Sequence, residues 1–143
     1  MTRLLCLASL ILILCCVFDM SSFSDSLVIV DDDPRVRKMF SSCLDEFGLS
    51  ADFCADSFQL LDSITQSKPR LVLMDFLMPQ MDGIECCRRL RNSGFDGYLC
   101  VVSSLYDSVV VDSALEAGAD KYILKSDIFD SLESLLKEVG FDV

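Results

Sequence analysis

From Ser26 onward, short runs of consecutive apolar residues alternate with longer stretches in which apolar positions recur every third or fourth residue. The first pattern is that of a strand buried on both faces, the second that of an amphipathic helix. Leu27 to Val30 forms the first strand, after which Asp33 reads as a helix cap and Pro34 as the first helical residue. In that helix Val36, Met39, Phe40, Cys43 and Phe47 define an apolar face, and Gly48 ends it. A weaker strand over 50–54 leads to a helix capped near Asp56, with Phe58, Leu61 and Ile64 inward and Pro69 as its stop. The third strand, Leu71 to Met74, runs into Asp75 and the loop FLMPQMDG, in which Asp82 is a cap or turn residue. The next helix places Ile84, Cys87 and Leu90 on one side and closes at Asn92-Ser93-Gly94. A fourth strand, Tyr98 to Val102, ends at Ser103-Ser104 and is followed by a helix over 107–117 and by Gly118. The fifth strand, Tyr122 to Leu124, meets Lys125, and the last helix carries Ile128, Leu132, Leu135 and Val139.

Five strand–helix units between residues 26 and 140 predict an α/β fold, a three-layer α/β/α sandwich around a parallel sheet. There is no longer internal repeat and no low-complexity linker, and the few residues after the last helix leave no room for an attached helix-turn-helix.

Composition narrows the chemistry. The 143 residues suffice for one domain with a real core. Twelve Lys and Arg against 23 Asp and Glu give a formal charge of −11, which repels a phosphate backbone and disfavours direct nucleic-acid binding. With no His, the chain can hold neither a Ser-His-Asp triad nor a His-ligated zinc, and any phosphohistidine must sit on another molecule. The apolar fraction of 52% is uneven, because Leu4 to Phe18 is a 15-residue run without charge. Residues 1–24 therefore read as an apolar leader ahead of a domain over 25–143. Three readings of the leader stay open: a dispensable extension or wrongly placed start, with Met20 as the true one; a membrane anchor through residues 4–18; or a cleaved signal. Of the eight Cys, those outside the leader fall among the predicted helices and strands with no CxxC pair, so they read as small buried apolar residues in a reducing compartment.

In an open parallel sheet, ligands bind beyond the carboxyl ends of the strands. Four polar features fall there: Asp31-Asp32-Asp33, Asp75, Ser103 and Lys125. Clustered carboxylates repel and need a cation or shared protons. Mg²⁺, which takes carboxylate oxygens and engages phosphoryl oxygens, suits Asp32 and Asp75 with Asp31 acting through water. Lys125 is a compact charge for a phosphoryl oxygen or for Asp75, and the Ser103 hydroxyl can donate to another oxygen, leaving Asp75 as nucleophile.

On these residues, in DDDP, LVLMDFLMPQMDG, VVSS and KYILK, the span 26–140 resembles a response-regulator receiver domain of two-component signalling. The resemblance implies a flavodoxin-like (βα)5 fold with sheet order 2-1-3-4-5. It implies Asp75 as phosphoacceptor, Asp31 and Asp32 as the acidic pair, and the Leu77 backbone carbonyl as a further Mg²⁺ ligand. Ser103 and Lys125 would act on the phosphoryl group, with Tyr122 as the switch aromatic moving with Ser103. The partners implied are a histidine kinase or phosphotransfer protein and a downstream protein target, in the cytoplasm, with membrane contact only if the leader is retained. Pairing of two copies on activation is left open. Two positions depart from the family pattern. Lys125 is followed by Ser126 where receivers usually have Pro, and Leu77 and Leu105 stand where the family steers the water that removes the phosphoryl group. The latter implies slow autodephosphorylation. Two other classes compete: a non-phosphorylated scaffold, and a haloacid-dehalogenase-like phosphatase, which would need an Asp where Leu77 stands.

Overall fold

The computed structural model describes residues 24–143; the segment Leu4 to Phe18 and its three readings lie outside the described residues. Five strands and five helices alternate: β1 (Ser24–Val30), α1 (Pro34–Glu46), β2 (Asp52–Cys54), α2 (Ser57–Gln66), β3 (Pro69–Asp75), α3 (Gly83–Asn92), β4 (Tyr98–Ser103), α4 (Ser108–Glu116), β5 (Lys121–Leu124) and α5 (Ile128–Val139). All neighbouring strands are parallel, in the order β2-β1-β3-β4-β5. This is the α/β/α sandwich and strand order expected.

Alternation along the strands divides the core. Val28, Val30, Val72, Met74, Leu99 and Val101 face α2, α3 and α4, where they meet Leu60, Ile64, Cys86, Cys87, Leu90 and Ala114. Leu27, Ile29, Leu71, Leu73, Cys100 and Val102 face α1 and α5, where they meet Phe40, Leu44, Leu132, Leu135 and Leu136. Covered on both sides, the central strands have no polar face to present, which is why they read as unbroken apolar runs.

An Asp stands immediately before each of the five helices, at positions 33, 56, 82, 107 and 127. The first four accept a hydrogen bond from a backbone N–H of the first turn, which satisfies an orphan donor and places negative charge at the positive end of the helix. Part of the net negative charge is thus spent on starting helices.

Three details of the sequence reading need correction. Pro69 opens β3 rather than stopping α2, since the first residue of a strand tolerates a missing N–H. Phe58 is 49% exposed; the buried face of α2 is Ser57, Leu60 and Ile64, an arc that leaves Phe58 about 100° to one side. Met39 is also largely exposed, because Phe40 and Leu44 carry the buried stripe of α1.

Away from the strand ends that carry the acidic residues, Arg91 joins three segments. Its guanidinium donates to the carbonyls of Gly118, Phe95 and Gly97 and to the Asp120 carboxylate, and it lies over the Phe95 ring. Replacing Arg91 by Met keeps much of the apolar stem and removes every donor, so urea unfolding should show a loss of about 2–3 kcal/mol. An unchanged midpoint would mean that water replaces all of these bonds without cost.

Candidate functional site

Register brings the polar residues together. Val30 lies opposite Met74, so the next residues, Asp31 and Asp75, leave the sheet side by side; Asp75 lies opposite Val102, and Ser103 opposite Leu124. Lys125 follows Leu124 directly. Among the described residues, Asp31, Asp75 and Ser103 are buried polar residues, and Ser57 in α2 is the fourth.

Asp31 is held at every polar atom. Its N–H donates to the Cys54 carbonyl at 3.2 Å, its carbonyl accepts from Arg37 Nη1 at 2.6 Å, Oδ1 accepts from the Asp33 N–H at 2.8 Å, and Oδ2 meets Lys125 Nζ at 2.7 Å. The same ammonium lies 3.2 Å from Asp75 Oδ2, while Asp75 Oδ1 accepts from the Leu77 N–H at 3.2 Å. Lys125 thus bridges two nearly inaccessible carboxylates. Asp32 is exposed, and one carboxylate oxygen from each of Asp31, Asp32 and Asp75 lies within 4.8 Å of the others. Asp33 plays a different part: it caps α1 through the Arg35 N–H and pairs with the Arg35 guanidinium at 2.9 Å and 3.1 Å.

The electrostatics follow from this packing. Burial pushes the Asp75 carboxyl above its ordinary value; Lys125 opposes that, and the Asp31 charge adds to it. Because the folded carboxyl holds its proton more tightly than the unfolded one, its contribution favours folding at low pH and is lost as pH rises through its folded value. Burial works to lower the Lys125 ammonium, but the hydrogen bond to Asp31 and the charges of Asp75 and Asp31 outweigh it and hold it protonated.

Ser103 and Tyr122 connect through one loop residue. The Leu105 N–H donates to Ser103 Oγ at 3.1 Å, and the Tyr122 hydroxyl donates to the Leu105 carbonyl at 2.7 Å. Tyr122 also packs at a tilt against Phe76, with ring centroids 6.3 Å apart. The Ser103 carbonyl accepts from the Lys125 N–H at 2.7 Å, so this backbone hydrogen bond ties the ends of β4 and β5 together. Lys125, Ser126 and Asp127 form a turn, and no peptide bond among the described residues is cis. Ser126 where Pro is usual therefore leaves Lys125 in reach of both carboxylates.

Asp31, Asp32, Asp75, Leu77, Ser103 and Lys125 thus lie at one end of the sheet, while Tyr122 lies within β5 opposite Val101. Arg37 was missed. It lies four residues after the cap of α1, a spacing that returns a long side chain to the loop before the helix, but its own type gives no sign of a backbone acceptor.

The cysteines stay outside this chemistry. Burial pushes the thiols of Cys54 and Cys86 up to about 11 and those of Cys87 and Cys100 up to about 12. Cys43 is half-buried, in an open groove of about 500 Å³ beside Met39 and Phe129. Among the five described cysteines, iodoacetamide at mildly alkaline pH should modify Cys43 first, the others only after unfolding, as read by peptide mass spectrometry. Rapid native labelling of Cys86 or Cys87 would contradict the packing.

A parallel five-stranded sandwich with an acidic cluster and a bridging Lys at its strand ends defines the class, and residues 27–137 match the response regulator receiver domain family. The chain belongs to that family, which carries signals in two-component systems. It is 37% identical over 121 residues to the response regulator MprA of Mycobacterium sp. (strain KMS), covering 81% of this chain and 52% of that protein. The MprA of Mycolicibacterium vanbaalenii is 39% identical over 100 residues, covering 69% of this chain and 43% of that protein. The chain spans about half the length of these curated relatives. Among solved structures, the BeF3-activated N-terminal receiver domain of Klebsiella pneumoniae RstA is 30% identical with a TM-score of 0.73, covering 79% of this chain and 96% of that one. A two-component response regulator from Clostridium difficile, at 21% identity, shares the fold with a TM-score of 0.75, covering 80% and 93%.

Proposed function

We propose that this domain takes a phosphoryl group from a phosphohistidine on a histidine kinase or phosphotransfer protein onto Asp75, with Mg²⁺, and passes the signal on by contact with a downstream protein. The observation that carries this is Lys125, whose single ammonium lies 2.7 Å from Asp31 and 3.2 Å from Asp75. A scaffold has no need to bury two carboxylates on one partly exposed cation. A phosphatase of the haloacid-dehalogenase kind lacks its second Asp, because Leu77 occupies that place.

Three carboxylate oxygens within 4.8 Å are a donor set of the hard, oxygen-only kind that suits Mg²⁺. Asp31, Asp32, Asp75 and the Leu77 carbonyl would hold it. When bound, the ion supplies positive charge for the phosphoryl oxygens. A carboxylate oxygen of Asp75 attacks phosphorus, the P–N bond to the donor imidazole breaks, and the nitrogen keeps the electron pair. Lys125 neutralises an oxygen of the transferred group, and Ser103 donates to another. As Ser103 turns inward, the Leu105 N–H loses its acceptor, which frees the loop whose carbonyl holds the Tyr122 hydroxyl. Tyr122 can then turn in, and the surface of α4, β5 and α5 changes.

The signalling domain, whose first strand opens at Ser24, works in the cytoplasm, where kinases hold their phosphohistidines. The formal charge of −11 supports a protein target rather than nucleic acid.

Leu77 and Leu105 are 49% and 44% exposed, and neither side chain can hydrogen-bond a water. Incubation with acetyl phosphate and Mg²⁺ should add one phosphoryl group by intact mass, and after removal of the donor the label should last minutes to hours. No Mg²⁺-dependent label leaves the scaffold reading, and a lifetime of seconds contradicts the role given to the two leucines.

A further inference from the structure

We propose that Arg37 is a positioning residue for the acidic pair, fixing the Asp31–Asp32 peptide so that one carboxylate faces inward and the other outward; this rests on the reading that Asp31, Asp32 and Asp75 hold the cation. The Arg37 guanidinium reaches back from α1 and donates from Nη1 to the Asp31 carbonyl at 2.6 Å. That carbonyl belongs to the peptide that joins the two acids. With the Asp31 N–H bound to the Cys54 carbonyl, the backbone of Asp31 is pinned on both sides, once to the end of β2 and once to α1. Asp31 Oδ2 then points at Lys125, and Asp32 projects to the surface within 4.8 Å of the other two carboxylates.

Electrostatics alone would not place an arginine here. A cation near a helix N-terminus opposes the macrodipole, and a second cation beside a cation site weakens it. Arg35, two residues earlier, is occupied by Asp33. Arg37 engages a neutral carbonyl, so what it supplies to the site is orientation. Partners of this kind, one step removed from a metal's ligands, typically change affinity by about 10-fold or more when removed.

Charge and orientation predict opposite signs. If Arg37 acted only as a charge, Arg37→Ala would tighten Mg²⁺ binding. If it orients the pair, Arg37→Ala weakens binding about 10-fold by titration calorimetry on the full chain. Arg37→Lys recovers most of the affinity, since only one donor is used. A second readout needs no metal: the Asp33 amide, which donates to Asp31 Oδ1, should exchange faster in metal-free Arg37→Ala and at the native rate in Arg37→Lys. Unchanged or tighter Mg²⁺ binding with unchanged Asp33 exchange overturns the proposal. Faster Asp33 exchange with no Mg²⁺ bound by any variant supports the anchoring and overturns the cation site on which it rests.

Discussion

Asp75→Asn should abolish phosphoryl uptake from acetyl phosphate down to background, because an amide oxygen lacks the nucleophilicity of a carboxylate and no second group is placed to replace it. Asp31 is pinned at every polar atom and shares its outer oxygen with Lys125, whereas Asp32 stands outside the buried pair. The same substitution raises the midpoint of urea unfolding in Mg²⁺-free buffer at neutral pH. Asp75 is only 5% exposed, and its charge lies beside that of Asp31. The fold therefore binds its proton more tightly than the unfolded chain does, and the ionised form works against folding. Replacement by a neutral isostere removes that cost. The stability gain should shrink as pH falls toward the range where wild-type Asp75 is itself protonated. A variant that is less stable than wild type at neutral pH would mean that the attraction to Lys125 outweighs burial.

Lys125→Met has the second large effect, with the opposite sign on stability. It removes the one ammonium in contact with two buried carboxylates and leaves Asp31 and Asp75 facing each other. Breaking a buried pair in this way costs about 3–5 kcal/mol, and the lower end applies here because the Lys side chain is 25% exposed. Mg²⁺ should restore part of the loss, since an ion that binds only the folded protein stabilises it by mass action. Uptake of the phosphoryl group should slow at least about 10-fold without disappearing, because the proposed nucleophile, Asp75, is retained. Wild-type stability in Mg²⁺-free Lys125→Met would show that the two carboxylates do not depend on this cation.

These two residues were legible in the sequence because their positions depend on few things. An apolar run followed by a single Asp or Lys fixes which strand end the side chain occupies, and parallel order brings those ends to one edge. Caps were legible for the same reason: Asp33 and Asp82 each precede a periodic segment and need only local geometry. What could not be read was set by tertiary contact. In α2, Phe58 and Leu60 are both large and apolar, and only the docking of the helix on the sheet decides that Leu60 goes in. The 4.8 Å grouping of Asp32 with its neighbours depends on how a surface loop turns, and the Arg37 contact joins a helix to a backbone carbonyl, which no residue type announces. The path from Ser103 through Leu105 to Tyr122 uses a backbone N–H on one side and a backbone carbonyl on the other, so the identity of Leu105 gave no sign of it.

Whether Asp75 itself carries the phosphoryl group can be read directly. Protein labelled with acetyl phosphate and Mg²⁺ can be treated with borohydride, which reduces an acyl phosphate to an alcohol, and the peptides then sequenced by mass spectrometry. Reduction is expected at position 75 alone. Reduction at Asp31 or Asp32 with Asp75 unmodified, or label that resists borohydride altogether, would contradict it.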